Sequence, residues 1–186
     1  NTYLLEVIKA LKPDERQDAA LFLASPYFNR GGNAKELSKL FTIILNSAPA
    51  FEEESLIKER VYQQIYPNQN FVQGKLEKLM ADLNKLLRIF CLTNQYFSEH
   101  NEAQIQIDWA AWLRERGQSE RSRQVVTKLK GSEFQSQTES LKKYRTHLRI
   151  AEEEHEWEST HNQAKGDLHI PSLISCLDVY YYNYRA

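Results

Sequence analysis

Apolar residues recur along the chain at intervals of three and four positions, a spacing that places them on one face of an α-helix. The only short apolar–polar alternation, at 104–108, lies inside such a helical pattern, so the sequence predicts no strand. The clearest series predicts a long amphipathic helix at the centre of a core. It comprises Val72, Leu76, Leu79, Met80, Leu83, Leu86, Leu87, Phe90 and Cys91.

Residues that favour helix ends divide the chain into predicted helices. Asn33, Asn70 and Ser136 are each followed three positions later by Glu or Gln, which is the arrangement of a capping box. Pro13 and Pro171 are expected in first helical turns, where the missing N–H is not needed. The predicted helices lie near 2–11, 14–24, 33–46, 53–66, 71–98, 101–116, 119–130, 136–164 and 171–185.

Short connections between successive helices favour antiparallel neighbours, so we expect stacked helical hairpins. Residues 103–130, with a turn at Gly117 and a break at Gly131, have the size of one unit of a helical-repeat protein. The prediction is an all-α fold, an irregular α-solenoid of tetratricopeptide-like hairpins, with an irregular helical bundle as the alternative. A boundary near 99–102 would separate an N-terminal helical bundle, 1–98, from a helical-hairpin repeat region, 99–186.

Composition and charge limit the classes of partner. The 41% hydrophobic and 26% charged content is typical of a globular protein. Twenty-four basic against 25 acidic residues give a net charge of −1, so no global field attracts nucleic acid or anionic lipid. Cys91 and Cys176 lie in apolar helical runs and are expected as small buried hydrophobes rather than disulfide partners.

The sequence also contains neither a secretory signal nor an apolar run long enough to span a membrane. We therefore expect a cytoplasmic protein without a membrane partner.

The Ser-Pro-Tyr-Phe-Asn motif at 25–29, together with Ile65-Tyr66-Pro67 and the long apolar series, resembles a group of bacterial all-helical proteins. The resemblance covers the first half of the chain, and Asn68 stands where Gly is expected. It implies a helical fold and a longer parent chain. No reaction is assigned to the group, so no catalytic residue is carried over.

The motif at 25–29 also has a physical interpretation. Proline pushes the preceding residue out of the helical region, so Ser25-Pro26 is expected to end a helix. Tyr27 and Phe28 are then expected to fill the gap between two helices, and Asn29 to form a turn.

An acidic stretch near the C-terminal end contains the Glu-x-x-His pattern twice, at Glu152/His155 and Glu158/His161. The two copies are six residues apart, about 120° out of register on one helix, so they cannot meet at one metal pair. Glu154, Glu158 and His161 share a face and could hold a single metal. The favoured interpretation is a solvated acidic face, with no metal or cofactor. His155 would then lie at the edge of a core stripe formed by Leu141, Tyr144, Leu148 and Ala151.

Six basic residues on the predicted 103–130 hairpin are candidates for contact with nucleic acid. Phosphate binding needs such a cluster on one surface, and these residues flank a turn that could bring them together. They support a nucleic-acid-associated regulator as an alternative function. The residues are Arg114, Arg116, Arg121, Arg123, Lys128 and Lys130.

Sequence motifs of nucleophilic, nucleotide-dependent or zinc-protease chemistry are not found. We therefore expect a non-catalytic helical scaffold that binds a partner protein or peptide, with an enzyme assembled from distant helices as a second alternative. The last helix has an apolar-aromatic stripe and no polar outer face, so the natural protein is expected to continue past Ala186. Tyr180, Tyr181 and Tyr184 would then be the surface for a partner or for self-association.

Overall fold

The computed structural model describes residues 2–30, 32–48, 51, 56–98, 101–135, 140–161 and 170–185. These residues form helices and no strand, which confirms the all-α fold class. The solenoid arrangement stays a prediction. The helices are α1 (Thr2–Ala10), α2 (Pro13–Ala24), α3 (Ala34–Asn46), α4 (Lys58–Ile65), α5 (Gln73–Tyr96), α6 (Glu102–Glu115), α7 (Ser119–Gln135), α8 (Leu141–His161) and α9 (Ile170–Arg185).

Three predicted boundaries differ from the structure. Helix α4 begins at Lys58 rather than at 53, because Ile57 is extended; residues 53–55 lie outside the described residues. Helix α7 continues through Gly131, where the sequence predicts a break, since a helix that is stabilised elsewhere can accommodate the cost of about 1 kcal/mol. The box predicted at Ser136 lies outside the described residues, and Ser140 Oγ accepts from Lys143 N at 3.2 Å before α8.

Of two residues predicted at helix ends, Asn33 does not form the predicted capping box, whereas Gly117 forms the predicted turn. Asn33 occupies the N-cap position of α3, but its side chain makes no capping hydrogen bond, and its Nδ2 donates to Asp82 Oδ2 at 3.2 Å. The capping box predicted there is wrong. Gly117 has φ +74° after α6, and the two N–H groups at 117 and 118 donate to carbonyls of the last helical turn. A left-handed residue closed by two such bonds is the usual way for a glycine to end a helix.

Contacts divide the chain into two compact units, 1–95 and 96–186. In the first unit, residues from α1 to α5 share one hydrophobic core. The long series on α5 contributes six buried side chains, while Val72 precedes the helix and is exposed. The six are Leu76, Leu79, Leu83, Leu86, Leu87 and Phe90.

The Ser-Pro-Tyr-Phe-Asn segment ends α2 as expected, but its aromatic residues do not fill a gap. Tyr27 is 68% exposed, and Phe28 stacks on Phe22 with ring centroids 4.1 Å apart while remaining partly exposed. Asn29 is the buried member, and its Nδ2 donates to Leu23 O at 3.2 Å. The polar residue of the motif therefore holds the turn, and the expectation for Tyr27 is wrong.

In the second unit each helix from α6 to α9 contacts the next, and α6 also contacts α8. The core of α6, α7 and α8 is small and comprises Ile107, Ala110, Val126, Leu129 and Ile150. Polar contacts add to it: Asp108 accepts hydrogen bonds from the Tyr96 hydroxyl and, at 2.8 Å, from Gln104 Nε2. Arg149 Nη2 of α8 lies 4.0 Å from the same carboxylate.

The apolar stripe that the sequence predicts on helix α9 is partly buried. Along one edge of the stripe, Leu173, Cys176 and Tyr180 are half-buried. The rest of the stripe forms an exposed face that consists of Ile174, Leu177, Tyr181 and Tyr184. Among all the described helices, none has the combination of length and apolarity that a membrane crossing needs.

Candidate functional site

Two of the six candidate nucleic-acid contacts form ion pairs inside the second unit. Arg114 Nε of α6 lies 3.3 Å from Glu153 Oε2 of α8, and both side chains are largely buried. Lys130 Nζ of α7 contacts both carboxylate oxygens of Glu154 at 2.8 and 2.7 Å. These two cations neutralise acidic residues of α8, which lowers the positive charge available to a phosphate backbone.

The other four basic residues are exposed and fall into two groups. Arg116 and Arg123 lie over tryptophan rings, with guanidinium-to-centroid distances of 3.9 Å to Trp112 and 4.5 Å to Trp157. Arg121 and Lys128 are exposed on α7. They are seven residues apart and so share a face of that helix.

Helix α6 carries an exposed aromatic ladder, which we define as Trp109, Trp112 and Arg116. The two indoles stack with centroids 4.9 Å apart and an interplanar angle of 17°. Their exposed fractions are 46% and 44%. Arg116 extends the stack beyond Trp112.

The ladder follows from helical periodicity but was not singled out by the sequence analysis. Its members are spaced by three and four residues and fall within about 60° of one helix face. Ile107, Ala110 and Leu113 occupy the buried side of the same helix. The signal in the sequence that could have revealed the ladder is the presence of two overlapping apolar series within one short helix.

A cleft of about 310 Å³ lies between α7 and α8. Its walls include Val126 and the Trp157 ring, and its polar groups come from successive helical turns. Ser122 is only 2% exposed. The remaining lining residues are Arg123, Thr127, Lys130, Glu153, Glu154 and Glu158.

The sequence predicts a solvated acidic face on α8, but the acidic stretch is only partly exposed. Glu153 is 8% exposed because it pairs with Arg114. Ile150 is buried beside Ala151, whereas Leu141 is exposed and Leu148 is half-buried, so the predicted stripe is displaced by about one residue. Glu153 therefore enters the interface with α6, while His155 is half-buried, as expected for the edge of a core stripe.

In the described part of the chain, no three His, Cys, Asp or Glu side chains lie close enough together to hold a metal ion. Of the candidate trio, Glu154 pairs with Lys130 and Glu158 lines the cleft. The side chain of His161 lies outside the described residues.

The two cysteines are free thiols, and each is half-buried in its helix. Burial is the main reason that the pKa of the Cys91 thiol and that of the Cys176 thiol are raised above the ordinary value. A raised pKa keeps a thiol protonated and lowers its nucleophilicity. Both cysteines therefore behave as packing residues.

In comparisons with known proteins, no family model, no curated protein and no solved structure matches this chain. The fold and the surfaces described above are therefore the basis for assigning a function.

Proposed function

We propose that this chain is a non-catalytic protein-interaction module and that the aromatic ladder on α6 is its contact surface. The observation that carries the proposal is the stacked, nearly half-exposed pair Trp109 and Trp112, extended by Arg116. Tryptophan and arginine are the residue types most enriched at the energetic centres of protein interfaces.

The geometry of the ladder favours binding for two reasons. The stack fixes both indole rings, and Arg116 is held over Trp112, so little side-chain freedom remains to be lost on association. Covering the exposed part of each indole would contribute about 1–2 kcal/mol from apolar burial. A surface that is rigid and apolar in the free protein loses little on ordering and gains from desolvation.

The chemistry of the ladder also describes its partner. An apolar segment, such as one face of an amphipathic helix, would cover the indoles. Arg116 lies at the C-terminal end of α6 and can form a two-pronged pair with a carboxylate. The partner is therefore a peptide or helix with an apolar centre and an acidic residue at one end.

The experiment compares the wild-type chain with a Trp109→Ala/Trp112→Ala variant as bait in affinity capture. Proteins lost with the double variant are then purified and their affinity for both forms measured by calorimetry. Because the two indoles are 46% and 44% exposed, circular dichroism first establishes that the double variant is folded at the temperature of the binding experiment. Tyr27→Ala, which removes a 68% exposed aromatic ring in the first unit, is the matched control.

The proposal expects a purified partner whose affinity falls about tenfold or more with the double variant and stays unchanged with Tyr27→Ala. Retention of every captured protein by the double variant would contradict it. A labelled single-stranded oligonucleotide tests the alternative, because exposed aromatics also stack on bases. Ladder-dependent binding that weakens steeply with salt would assign the surface to nucleic acid instead.

A further inference from the structure

We propose that the cleft between α7 and α8 is a second binding site and that it takes a carboxylate attached to an apolar group. The inference goes beyond the protein-binding surface on α6, because it depends on different residues and a different ligand chemistry. The residue that would bind the carboxylate is Arg123, and Ser122 and Trp157 lie beside it in the cleft.

The first step of the argument is the state of Arg123. Its guanidinium lies 4.5 Å from the Trp157 ring centroid, and within the described residues it forms neither an ion pair nor a hydrogen bond. The ring orients a planar group whose N–H donors match the two oxygens of a carboxylate. Arg123 is thus positioned at the cleft with its donors unused.

The second step is the hydroxyl of Ser122. The residue is 2% exposed and lines the cleft, and its side chain forms no hydrogen bond to any part of the chain that the structure describes. A hydroxyl that lines a cleft can donate a hydrogen bond to an anionic ligand, so a ligand oxygen placed there would accept one from Ser122.

Charge inside the cleft decides which ligand fits. Glu153 is paired with Arg114, and Glu154 is paired with Lys130. These pairs neutralise the charges of Glu153 and Glu154, and Arg123 is the lining cation that has no ion pair among the described residues. Glu158 also lines the cleft and opposes an anion there, so its removal should strengthen binding.

Size and walls define the rest of the ligand. A volume of about 310 Å³ is at the small end of the range for ligand sites. Val126 and the Trp157 ring offer apolar walls beside the polar groups. The ligand is therefore a small apolar carboxylate or the acidic side chain of a peptide that also presents an apolar residue.

The test uses NMR to follow the amides of Ser122 and Thr127 while N-acetylphenylalanine is added. The neutral N-acetylphenylalaninamide differs only at the carboxylate and is the matched probe. A blocked pentapeptide with a central Glu, compared with its Gln counterpart, distinguishes a peptide side chain from a free small molecule. Tighter binding of the Glu peptide than of N-acetylphenylalanine assigns the ligand to a partner protein, and the reverse assigns it to a metabolite.

Variants of exposed or cleft-lining residues test which side chains bind the carboxylate. Arg123→Gln should weaken carboxylate binding about tenfold or more, whereas Arg121→Gln, on the same helix, should not change it. Glu158→Gln should strengthen it severalfold. Trp109→Ala/Trp112→Ala should leave it unchanged, which separates this site from the ladder on α6.

Three results would overturn the proposal. The first is equal binding of each carboxylate and its neutral counterpart. The second is an unchanged affinity in Arg123→Gln. The third is weaker binding in Glu158→Gln, which would show that the cleft prefers a cation.

Discussion

At the residue scale, a single carboxylate connects the end of α5 to α6 and α8. The Tyr96 hydroxyl donates to Asp108, and desolvation, followed by that hydrogen bond and the negative charge, raises the pKa of Tyr96 to about 12. Each cause favours the protonated phenol. Neutral Tyr96 is therefore part of the folded second unit, and its ionisation opposes folding.

This linkage predicts a loss of stability at alkaline pH. The folded pKa lies above the ordinary 10.0, so the contribution of Tyr96 is complete below pH 10 and is lost as the pH rises through about 12. Denaturant unfolding at pH 9 to 12 should show a shallower decline for Tyr96→Phe than for the wild type. Tyr182→Phe, at a 72% exposed ring, should decline as the wild type does. Equal declines for all three proteins would refute the assignment.

The Arg114–Glu153 ion pair provides a second prediction at this scale. Removing one partner of a buried pair leaves an uncompensated charge, and Arg114→Gln would leave Glu153 in that state. We expect a loss of about 1–3 kcal/mol in unfolding free energy, less than for a fully enclosed pair because Arg114 keeps some exposure.

Chemical denaturation measures this effect, and Arg121→Gln is the control because it removes an exposed cation from the same unit. Adding Glu153→Gln to Arg114→Gln should restore part of the loss. A stability of Arg114→Gln equal to that of the control would show that the pair contributes nothing. Arg114 would then again be a candidate for contact with nucleic acid.

At the element scale, the two glycines of the second-unit hairpin have opposite roles. Gly117 has φ +74°, a left-handed conformation that costs other residues about 1–2 kcal/mol. Gly131 lies inside α7, and a Cβ added there would meet no atom within 4 Å. Alanine is favoured in a helix interior, but it is strained at a left-handed position.

We therefore expect Gly131→Ala to raise the unfolding free energy by about 0.5–1 kcal/mol and Gly117→Ala to lower it by about 1–2 kcal/mol. Urea titrations of the two single variants give both values against the same wild type. Destabilisation by Gly131→Ala would mean that α7 ends near 130, as its sequence pattern indicates.

The long series on α5 supports a prediction for the core. Leu83 is fully buried, and an unpaired carboxylate there costs several kcal/mol, a large part of the stability of an ordinary domain. Leu83→Asp should abolish the cooperative melt of the first unit in circular dichroism. Leu92→Asp changes an exposed position of the same helix and should melt almost as the wild type does. A normal melt for Leu83→Asp would remove α5 from the core.

Helices could be predicted from the sequence because their signals are local. The apolar series on α5 repeats within one helix, and Gly117 marks the end of α6. Neither of these signals depends on what packs nearby. The Arg114–Glu153 pair joins residues 39 positions apart, and only tertiary packing brings them together. The same holds for the cleft. The ladder on α6 was accessible from spacing alone, but a second apolar series on that helix is equally compatible with a core.

At the scale of the whole molecule, the exposed face of α9 is an apolar surface of the described residues that neither proposed binding site includes. Ile174, Leu177, Tyr181 and Tyr184 recur at intervals of three and four residues, and all four are exposed. Contiguous apolar patches on soluble proteins commonly mark interaction surfaces. A second copy of the chain brings an identical face, which can cover this one by two-fold symmetry.

We therefore expect the 186-residue chain to self-associate through α9 as its concentration rises. Sedimentation equilibrium should show an average mass that increases from 21.8 kDa toward twice that value. Leu177→Glu/Tyr181→Glu places two carboxylates in the middle of the exposed face and should keep the monomer mass, while Tyr27→Ala should associate as the wild type does. Because Leu177 and Tyr181 are exposed, neither change should lower the melting temperature of the monomer appreciably. A wild-type mass that stays at the monomer value across the full concentration range would show that burial of this face in a second copy does not offset the entropy lost on association.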